Sequence, residues 1–206
     1  MKQRYFISRH QSTELSKVIE FVIDQNNKHH KKNQEKEVPI EEVNLLVKEE
    51  ASISDEDSRI YVARNQNGRI IGSIRTCRWN RKGQLPMQKL FGIDPQEIPG
   101  VSVNSQIWHV GRFAIDSMSG ESPIVMFKQL MQYAITPIVE DHNAIMLAEI
   151  DSHLLKVMNL LGIKTHQLGH PVEYLGSLTI PIYSNKSDLL EYYYGNKKLI
   201  SYKYDS

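Results

Sequence analysis

The 206-residue chain carries 25 lysines and arginines against 24 aspartates and glutamates, so its charge gives no reason to expect nucleic acid or an anionic membrane as a partner. Hydrophobic residues make up 40% of the chain, which is enough for the core of a single domain spanning residues 1–206. The one cysteine, Cys77, excludes an internal disulfide and fits a reducing cytoplasm. No stretch approaches the roughly 20 apolar residues of a membrane span. We therefore expect a cytoplasmic protein without a membrane span.

The N-terminal part is predicted to be helical. Apolar residues recur at helical spacing across residues 12–25, and a second, shorter helix is predicted from Pro39 through Val47. These helices would fill residues 1–58, ahead of a sheet core that we expect over residues 59–183.

The sheet core is predicted to begin with a β-hairpin and a long excursion. Residues 59–63 and 69–79 are rich in β-branched residues and flank an Asn-Gly corner, which supplies the positive φ angles of a tight hairpin. Residues 80–105 contain repeated glycine and proline, and long irregular excursions in compact domains are often binding loops. Apolar residues between 85 and 93 are expected to anchor this excursion against the rest of the chain.

Residues 106–140 are predicted to form a strand, a small-residue turn and an amphipathic helix. The pair Ser122 and Pro123 is typical of a helix start, with a hydroxyl cap followed by proline at the first helical position. Backbone N–H groups at such a helix start attract phosphate, so we expect the turn to cradle the phosphate groups of a ligand. The residues of this predicted cradle are Met118, Ser119, Gly120 and Ser122. An ordinary strand–helix turn is the alternative.

The remaining elements alternate between strands and helices. A continuous apolar run at residues 144–150 predicts a buried strand, and a short helix is predicted at residues 151–161. Further strands are predicted at residues 163–168 and 177–183, ahead of a C-terminal extension over residues 184–206 with one more helix. A hairpin followed by strands separated by helices indicates an α/β layered sheet of mixed direction.

Three segments of the chain resemble the GNAT acyltransferases. They are Gly-Arg-Ile-Ile-Gly-Ser-Ile-Arg at 68–75, Gly-Arg-Phe-Ala-Ile-Asp at 111–116, and Leu-Leu-Gly-Ile at 160–163 followed by Leu-Gly-His-Pro at 168–171. Within that superfamily the chain is most similar to the acyl-homoserine-lactone synthases and the N-acyl amino acid synthases. The resemblance implies a GNAT-like three-layer α/β fold with a central mixed, mostly antiparallel sheet.

The resemblance also implies an activity. It is the transfer of an acyl group from a thioester donor to a small amine acceptor such as an amino acid or a derivative. The donor would be acyl carrier protein or coenzyme A, held through its phosphopantetheine. We expect no tightly bound cofactor, no metal and no nucleic-acid partner, and a homodimer stays open.

Two departures from the family pattern leave a second function open. The phosphate loop has Gly120 alone where the family pattern has two small residues. His109 stands where the lactone synthases carry a glutamate three residues before the arginine, here Arg112. The alternative is therefore a catalytically degenerate GNAT-like module that binds or senses acyl thioesters.

Acyl transfer to an amine requires a base for the ammonium proton and donors for the oxyanion. His109 is the first candidate base because imidazole titrates near neutral pH, and Glu149 at the end of the next strand is the second. Arg75 and Arg112 are candidate ligands for a substrate carboxylate or a donor phosphate. The alternative for these arginines is a buried ion pair with an acid such as Asp116.

Other residues near these candidates have structural alternatives. Phe113 is a candidate substrate contact, although aromatic residues such as Phe113 and Trp108 are more often part of the core. Cys77 is interpreted as a small buried thiol because no Cys/His arrangement accompanies it. The apolar residues at 85–93 and the apolar side of the helix at 124–138 are candidate walls of a fatty-acyl pocket, with simple core packing as the alternative.

Overall fold

The computed structural model describes residues 4–9, 14–30, 40–51, 57–174 and 177–200. Its strands are β1 (Tyr5–Arg9), β2 (Ser58–Asn65), β3 (Ile70–Arg78), β4 (Gln106–Ile115), β5 (Ala144–Asp151), β6 (His166–Gln167), β7 (Val172–Tyr174) and β8 (Ser177–Asn185). Its α-helices are α1 (Leu15–His30), α2 (Ile40–Ala51), α3 (Pro86–Phe91), α4 (Pro123–Glu140), α5 (Ser152–Leu160) and α6 (Lys186–Asn196), followed by a 3-10 helix at Lys197–Leu199.

The strands form one sheet. Their order is β1-β2-β3-β4-β5-β8-β6, and β7 also pairs with β8. Among the described strands, β4 and β5 are the one parallel pair, and the other pairs are antiparallel. The predicted α/β class with a mixed, mostly antiparallel sheet is confirmed.

Helices cover both faces of this sheet. Val62 packs against α1 together with Val18, whereas its strand neighbours Tyr61 and Ala63 pack in the core cluster that holds Leu130 of α4. Because successive strand residues point to opposite faces, α1 and α4 lie on opposite sides of the sheet. α2 packs against α1, and α6 packs against α4, which completes the two outer layers.

The predicted hairpin is confirmed as β2 and β3. Gly68 has a φ of 77°, the left-handed conformation that the corner requires. Its N–H donates to the carbonyl oxygen of Asn65 at 2.9 Å, and the Asn65 side chain accepts from the N–H of Asn67 at 3.1 Å.

The first element of the described residues is a strand, which corrects the predicted helical character of residues 1–58. β1 pairs antiparallel with β2, with Tyr5 opposite Asn65. A five-residue strand whose partner lies far along the chain leaves no local pattern to detect. The sheet therefore runs from Tyr5 to Asn185 rather than over residues 59–183.

Several short elements also differ from the prediction. α1 continues to His30, beyond the predicted end near residue 25. The predicted strand at 163–168 is reduced to the two residues of β6, and β7 was not predicted. Both strands are held by pairing with β8, which a local pattern does not show. The predicted starts of the first two helices, near residue 12 and at Pro39, lie outside the described residues.

The excursion at 80–105 contains α3 and is anchored on the sheet. Leu85 and Met87 are buried with Ile98 against Ile107 of β4 and Leu147 of β5. The expected apolar anchoring is confirmed, and it brings α3 to the end of the β4–β5 pairing.

The described residues contain neither a membrane-spanning helix nor a cluster of metal-ligating side chains. None of their helices is long and apolar enough to cross a membrane. None of their histidine, cysteine, aspartate and glutamate side chains form a group of three or more that could hold a metal ion.

Candidate active site

The parallel pairing of β4 and β5 is short, and a cavity opens where it ends. The pairing joins Gln106–His109 to Ala144–Leu147 and stops there. Opposite β3, strand β4 carries a bulge in which Arg112, with a φ of 51°, is the extra residue between the pairs Arg75–Gly111 and Ser73–Ala114. A bulge bends its strand, and β4 is not paired with β5 beyond His109.

The cavity has a volume of about 330 Å³ and reaches both sides of the sheet. On the α1–α2 side its lining includes the polar side chains of Arg75, His109 and Glu149, next to apolar residues of α2. On the α4 side the lining is apolar and includes Met131 and Met146. A ligand that spans the cavity would therefore have a polar part and an apolar part.

A continuous line of polar contacts crosses the polar half. Nη1 of Arg75 lies 2.7 Å from both carboxylate oxygens of Glu50 in α2, and Nη2 of Arg75 lies 2.9 Å from Nδ1 of His109. Nε2 of His109 lies 2.7 Å from Oε2 of Glu149. The Arg112 Nε also donates to Oε1 of Glu50, at 2.9 Å.

These contacts fix the proton arrangement of His109. A guanidinium has donors alone, so Nδ1 of His109 must accept the hydrogen bond from Arg75. Nε2 then carries the ring proton and donates it to Glu149, and the imidazole is neutral. Both ring nitrogens are occupied, so His109 is poorly placed to take a proton from a substrate. This geometry disfavours the prediction that His109 is the first candidate base and Glu149 the second.

Glu149 has the free acceptor that His109 lacks. Its side chain is 9% exposed and lines the cavity, and its Oε1 has no hydrogen-bond partner among the described residues. A buried carboxylate oxygen without a donor is costly unless a ligand supplies one. The geometry therefore favours Glu149 over His109 as the proton acceptor.

The guanidinium of Arg75 is occupied by contacts within the protein. It is 6% exposed and is held between Glu50 and His109. Burial alone would raise the pKa of Glu50, but the charges of Arg75 and Arg112 outweigh burial and hold that pKa below its ordinary value. Burial opposes the charge of Arg75, yet the pKa of its guanidinium is raised because Glu50 stabilises the charged form.

The partner of Arg112 also differs from the predicted alternative. Arg112 pairs with Glu50, whereas Asp116 pairs with Arg69 at 2.9 Å. Sequence reasoning missed Glu50, although a signal was present. Glu50 continues the apolar stripe of α2 formed by Val43, Leu46 and Val47, a position that faces the core.

Of the aromatic and thiol candidates, Phe113 lies at the cavity, and Trp108 and Cys77 are buried in the protein. Phe113 lines the cavity and packs edge-to-face on Phe127, with ring centroids 5.4 Å apart. Trp108 is 5% exposed and donates its Nε1–H to Asp141, so its core assignment is confirmed. Cys77 is buried, as predicted, and burial raises the pKa of its thiol.

Some backbone N–H groups of the predicted phosphate cradle already donate hydrogen bonds within the protein. The N–H groups of Met118 and Ser119 donate to Asp116 and are not directed at a ligand. Ser122 is at the N-cap of α4, but its hydroxyl makes no capping hydrogen bond, which corrects the predicted cap. Gly120 has a φ of 79° and turns the chain toward α4, whose first N–H groups have no partner inside the helix.

The walls predicted for an acyl pocket meet in this cavity. Pro86 and Leu90 of α3 line it, as does Met131 of α4. Leu45 and Leu46 of α2 close the same side as the polar contacts. The excursion and the central helix thus contribute to one cavity.

The chain shares its GNAT-like fold with several solved structures. FeeM, an N-acyl amino acid synthase from uncultured soil microbes, superposes with a TM-score of 0.67 at 16% identity, over 95% of this chain and 98% of that one. BjaI, a CoA-dependent acyl-homoserine lactone synthase whose structure contains SAM and isopentyl-CoA, gives 0.55 at 15% identity over 94% and 90%. The AHL synthase LasI gives 0.55 at 15% identity over 93% and 94%. No protein-family model and no curated protein matches the sequence.

Proposed function

We propose that this protein is an N-acyltransferase that moves an acyl group from a thioester of coenzyme A or acyl carrier protein to an amine. The observation that carries the proposal is the buried Glu149, which lines the cavity and whose Oε1 has no hydrogen-bond partner among the described residues. The fold is shared with FeeM and BjaI, which act in N-acyl amino acid and acyl-homoserine lactone synthesis.

Glu149 acts as the base in this proposal. Its Oε1 takes one proton from the acceptor ammonium, and the neutral nitrogen then attacks the thioester carbonyl carbon. The new C–N bond forms, the C–S bond breaks and the electron pair leaves with sulfur. The second proton lost by nitrogen balances the thiolate, which leaves as the thiol, and the proton on Glu149 returns to solvent. His109 holds Glu149 in position through its Nε2–H.

The other predicted site residues have supporting roles. The β4 backbone from Val110 to Phe113 lies past the end of the β5 pairing, so its N–H groups on that edge are candidate donors to the oxyanion. Gly120 and Ser122, at the start of α4, are candidate contacts for the phosphates of the donor. Arg112 lines the cavity, although Glu50 already neutralises part of its charge.

The apolar half of the cavity suits the acyl chain of the donor. Its lining includes three methionines, whose unbranched side chains adapt to ligands of irregular shape. They are Met131, Met146 and Met158. Burial of each further methylene there would contribute about 0.8 kcal/mol to binding.

A screen of donors and acceptors tests this proposal. Acyl-coenzyme A and acyl carrier protein with short, medium and long chains are incubated with a panel of amines, and N-acyl products are detected by mass spectrometry. A parallel thermal-shift assay detects donor binding, because a ligand that binds the native state raises its stability. An N-acyl product supports the proposal. Stabilisation by donors without transfer to any amine or to water would instead favour the thioester-binding or sensing module.

A further inference from the structure

We propose that Met131, Met146 and Met158 form the inner wall of the acyl subsite and limit the length of the acyl chain that the protein accepts. This inference rests on the acyl-transfer function proposed above. It concerns which donors fit the apolar half of the cavity, not whether transfer occurs.

The apolar half of the cavity lies beyond an opening between β4 and β5. The two strands are paired as far as His109 and Leu147, so Ala148 is the first residue of β5 beyond the pairing. Ala148 and Glu149 both line the cavity, and as neighbours in a strand their side chains point to opposite faces of the sheet. An acyl chain whose thioester lies near Glu149 therefore reaches the α4 side by passing Ala148.

One methionine comes from each of three elements that enclose the apolar half. Met146 of β5 lies opposite Trp108, where β4 and β5 are paired, so the opening does not extend to it. Met131 belongs to α4, and Met158 is the buried residue of α5. All three are at most 3% exposed and belong to the main core cluster. A chain that extends past them must therefore displace side chains of the core.

The volume of the cavity makes this wall decisive for chain length. Small-molecule sites usually have volumes of about 300–1,000 Å³. This cavity, at about 330 Å³, lies at the lower end of that range although it also has to hold the reacting groups. Replacing one of the three methionines with alanine removes Cγ, Sδ and Cε, which leaves room for about three further chain carbons.

Thioethers of pantetheine with straight alkyl chains, from butyl to hexadecyl, test the inference. These probes carry the arm that coenzyme A and acyl carrier protein share, and a thioether cannot transfer its chain. Calorimetric titration measures the affinity of each probe. In the native protein we expect affinity to rise about fourfold with each methylene until the apolar half is full, and then to stop rising.

Four variants move this limit in opposite directions. Met131→Ala, Met146→Ala and Met158→Ala should each extend the rise by about two to three carbons, so that a probe just beyond the native limit binds about tenfold or more tightly. Ala148→Val narrows the cavity without removing core volume, and it should shorten the limit. Thermal melting identifies the variants that fold, and Ala148→Val tests the wall if the alanine variants do not.

Two further variants are controls. Met126 is equally buried in the same core cluster, but it is not one of the described residues that line the cavity. Met126→Ala makes the same truncation there and should keep the native limit. Met158→Leu approximately conserves the side-chain volume and should keep it as well.

The outcomes separate this inference from the proposed function. A limit that is unchanged in every folded cavity variant, an equal extension in Met126→Ala, or failure of every probe to bind would overturn the assignment of the wall. N-acyl products formed in the screen would then leave the acyltransferase proposal standing. A limit that moves as expected, with no turnover of any thioester, would overturn the acyltransferase proposal and retain the subsite.

Discussion

Nε2 of His109 lies 2.7 Å from Oε2 of Glu149, although the two residues are 40 positions apart on neighbouring strands. The contact forms just where the parallel pairing of β4 and β5 ends, at His109 opposite Leu147. The other ring nitrogen of His109 contacts Arg75. His109 therefore links Arg75 to Glu149, so that the position of Arg75 affects the position of Glu149. The proposed base and the residue proposed to orient it therefore come from different strands.

We expect substitution of Glu149 to lower kcat more than substitution of His109. Glu149→Gln removes the proposed base and is expected to lower kcat by about 10²–10⁴-fold. His109→Gln retains an amide donor toward Glu149, so we expect a smaller loss, on the order of tenfold, from less accurate positioning. Steady-state kinetics with the best donor and acceptor of the screen measure both.

The exposed Glu140→Gln variant is the control for the charge change, and it should keep full activity. The reverse ranking would show that His109 is the base: a near-complete loss in His109→Gln with activity retained in Glu149→Gln. Thermal melting of each variant shows whether a loss of activity reflects unfolding.

Local patterns in the sequence predict much of the fold but not the connections of the site. The segment from β4 to α4 has a strand period, a turn cluster and a helix period in immediate succession, so each part is visible alone. The network around Glu50 joins α2, β3 and β4, and Glu50 and Arg112 are 62 positions apart. The stripe position of Glu50 indicates that it is buried, but no local pattern identifies the arginines that pair with it.

The second prediction concerns the stability contributed by Glu50. Glu50→Gln leaves Arg75 buried without its negative partner, which is expected to lower the free energy of unfolding by about 3–5 kcal/mol. Equilibrium denaturation in urea measures this change. Glu41→Gln, on the exposed side of the same helix, should change stability by less than about 0.5 kcal/mol.

A loss in Glu50→Gln no larger than that of Glu41→Gln would contradict the role of the ion pair. In that case the side chains of Glu50, Arg75 and Arg112 would be held in place by the packing of α2 rather than by their charges. The same experiment on Arg112→Gln, at a side chain that is 25% exposed, should give a smaller loss than Glu50→Gln because water can reach the site.

The contribution of Glu50 to the free energy of unfolding is expected to be lost at acid pH. The folded-state pKa of Glu50 lies below its ordinary value of 4.5, so the folded state binds this proton less readily than the unfolded state. The contribution of Glu50 is therefore fully present above about pH 4.5 and is lost as the pH falls through the lower, folded-state pKa. The measurement is the difference in unfolding free energy between the native protein and Glu50→Gln from neutral to acid pH.

This difference should shrink as the solution is acidified below about pH 4.5. A difference that stays constant over the acid range would show that the charge of Glu50 makes no contribution. A difference that grows on acidification would have the wrong sign for a carboxylate stabilised by arginines.

A side chain at Gly111 is expected to disturb the candidate site, because it would collide with His109. A Cβ on Gly111 would lie 2.9 Å from Cε1 of His109, a ring that hydrogen bonds hold on both sides. Gly111→Ala should therefore displace the imidazole and with it Glu149, and lower kcat by about tenfold or more. Gly83→Ala is the control, because a Cβ there meets no atom within 4 Å and the variant should keep full activity. Equal activity of the two variants would show that the position of the imidazole does not govern the reaction.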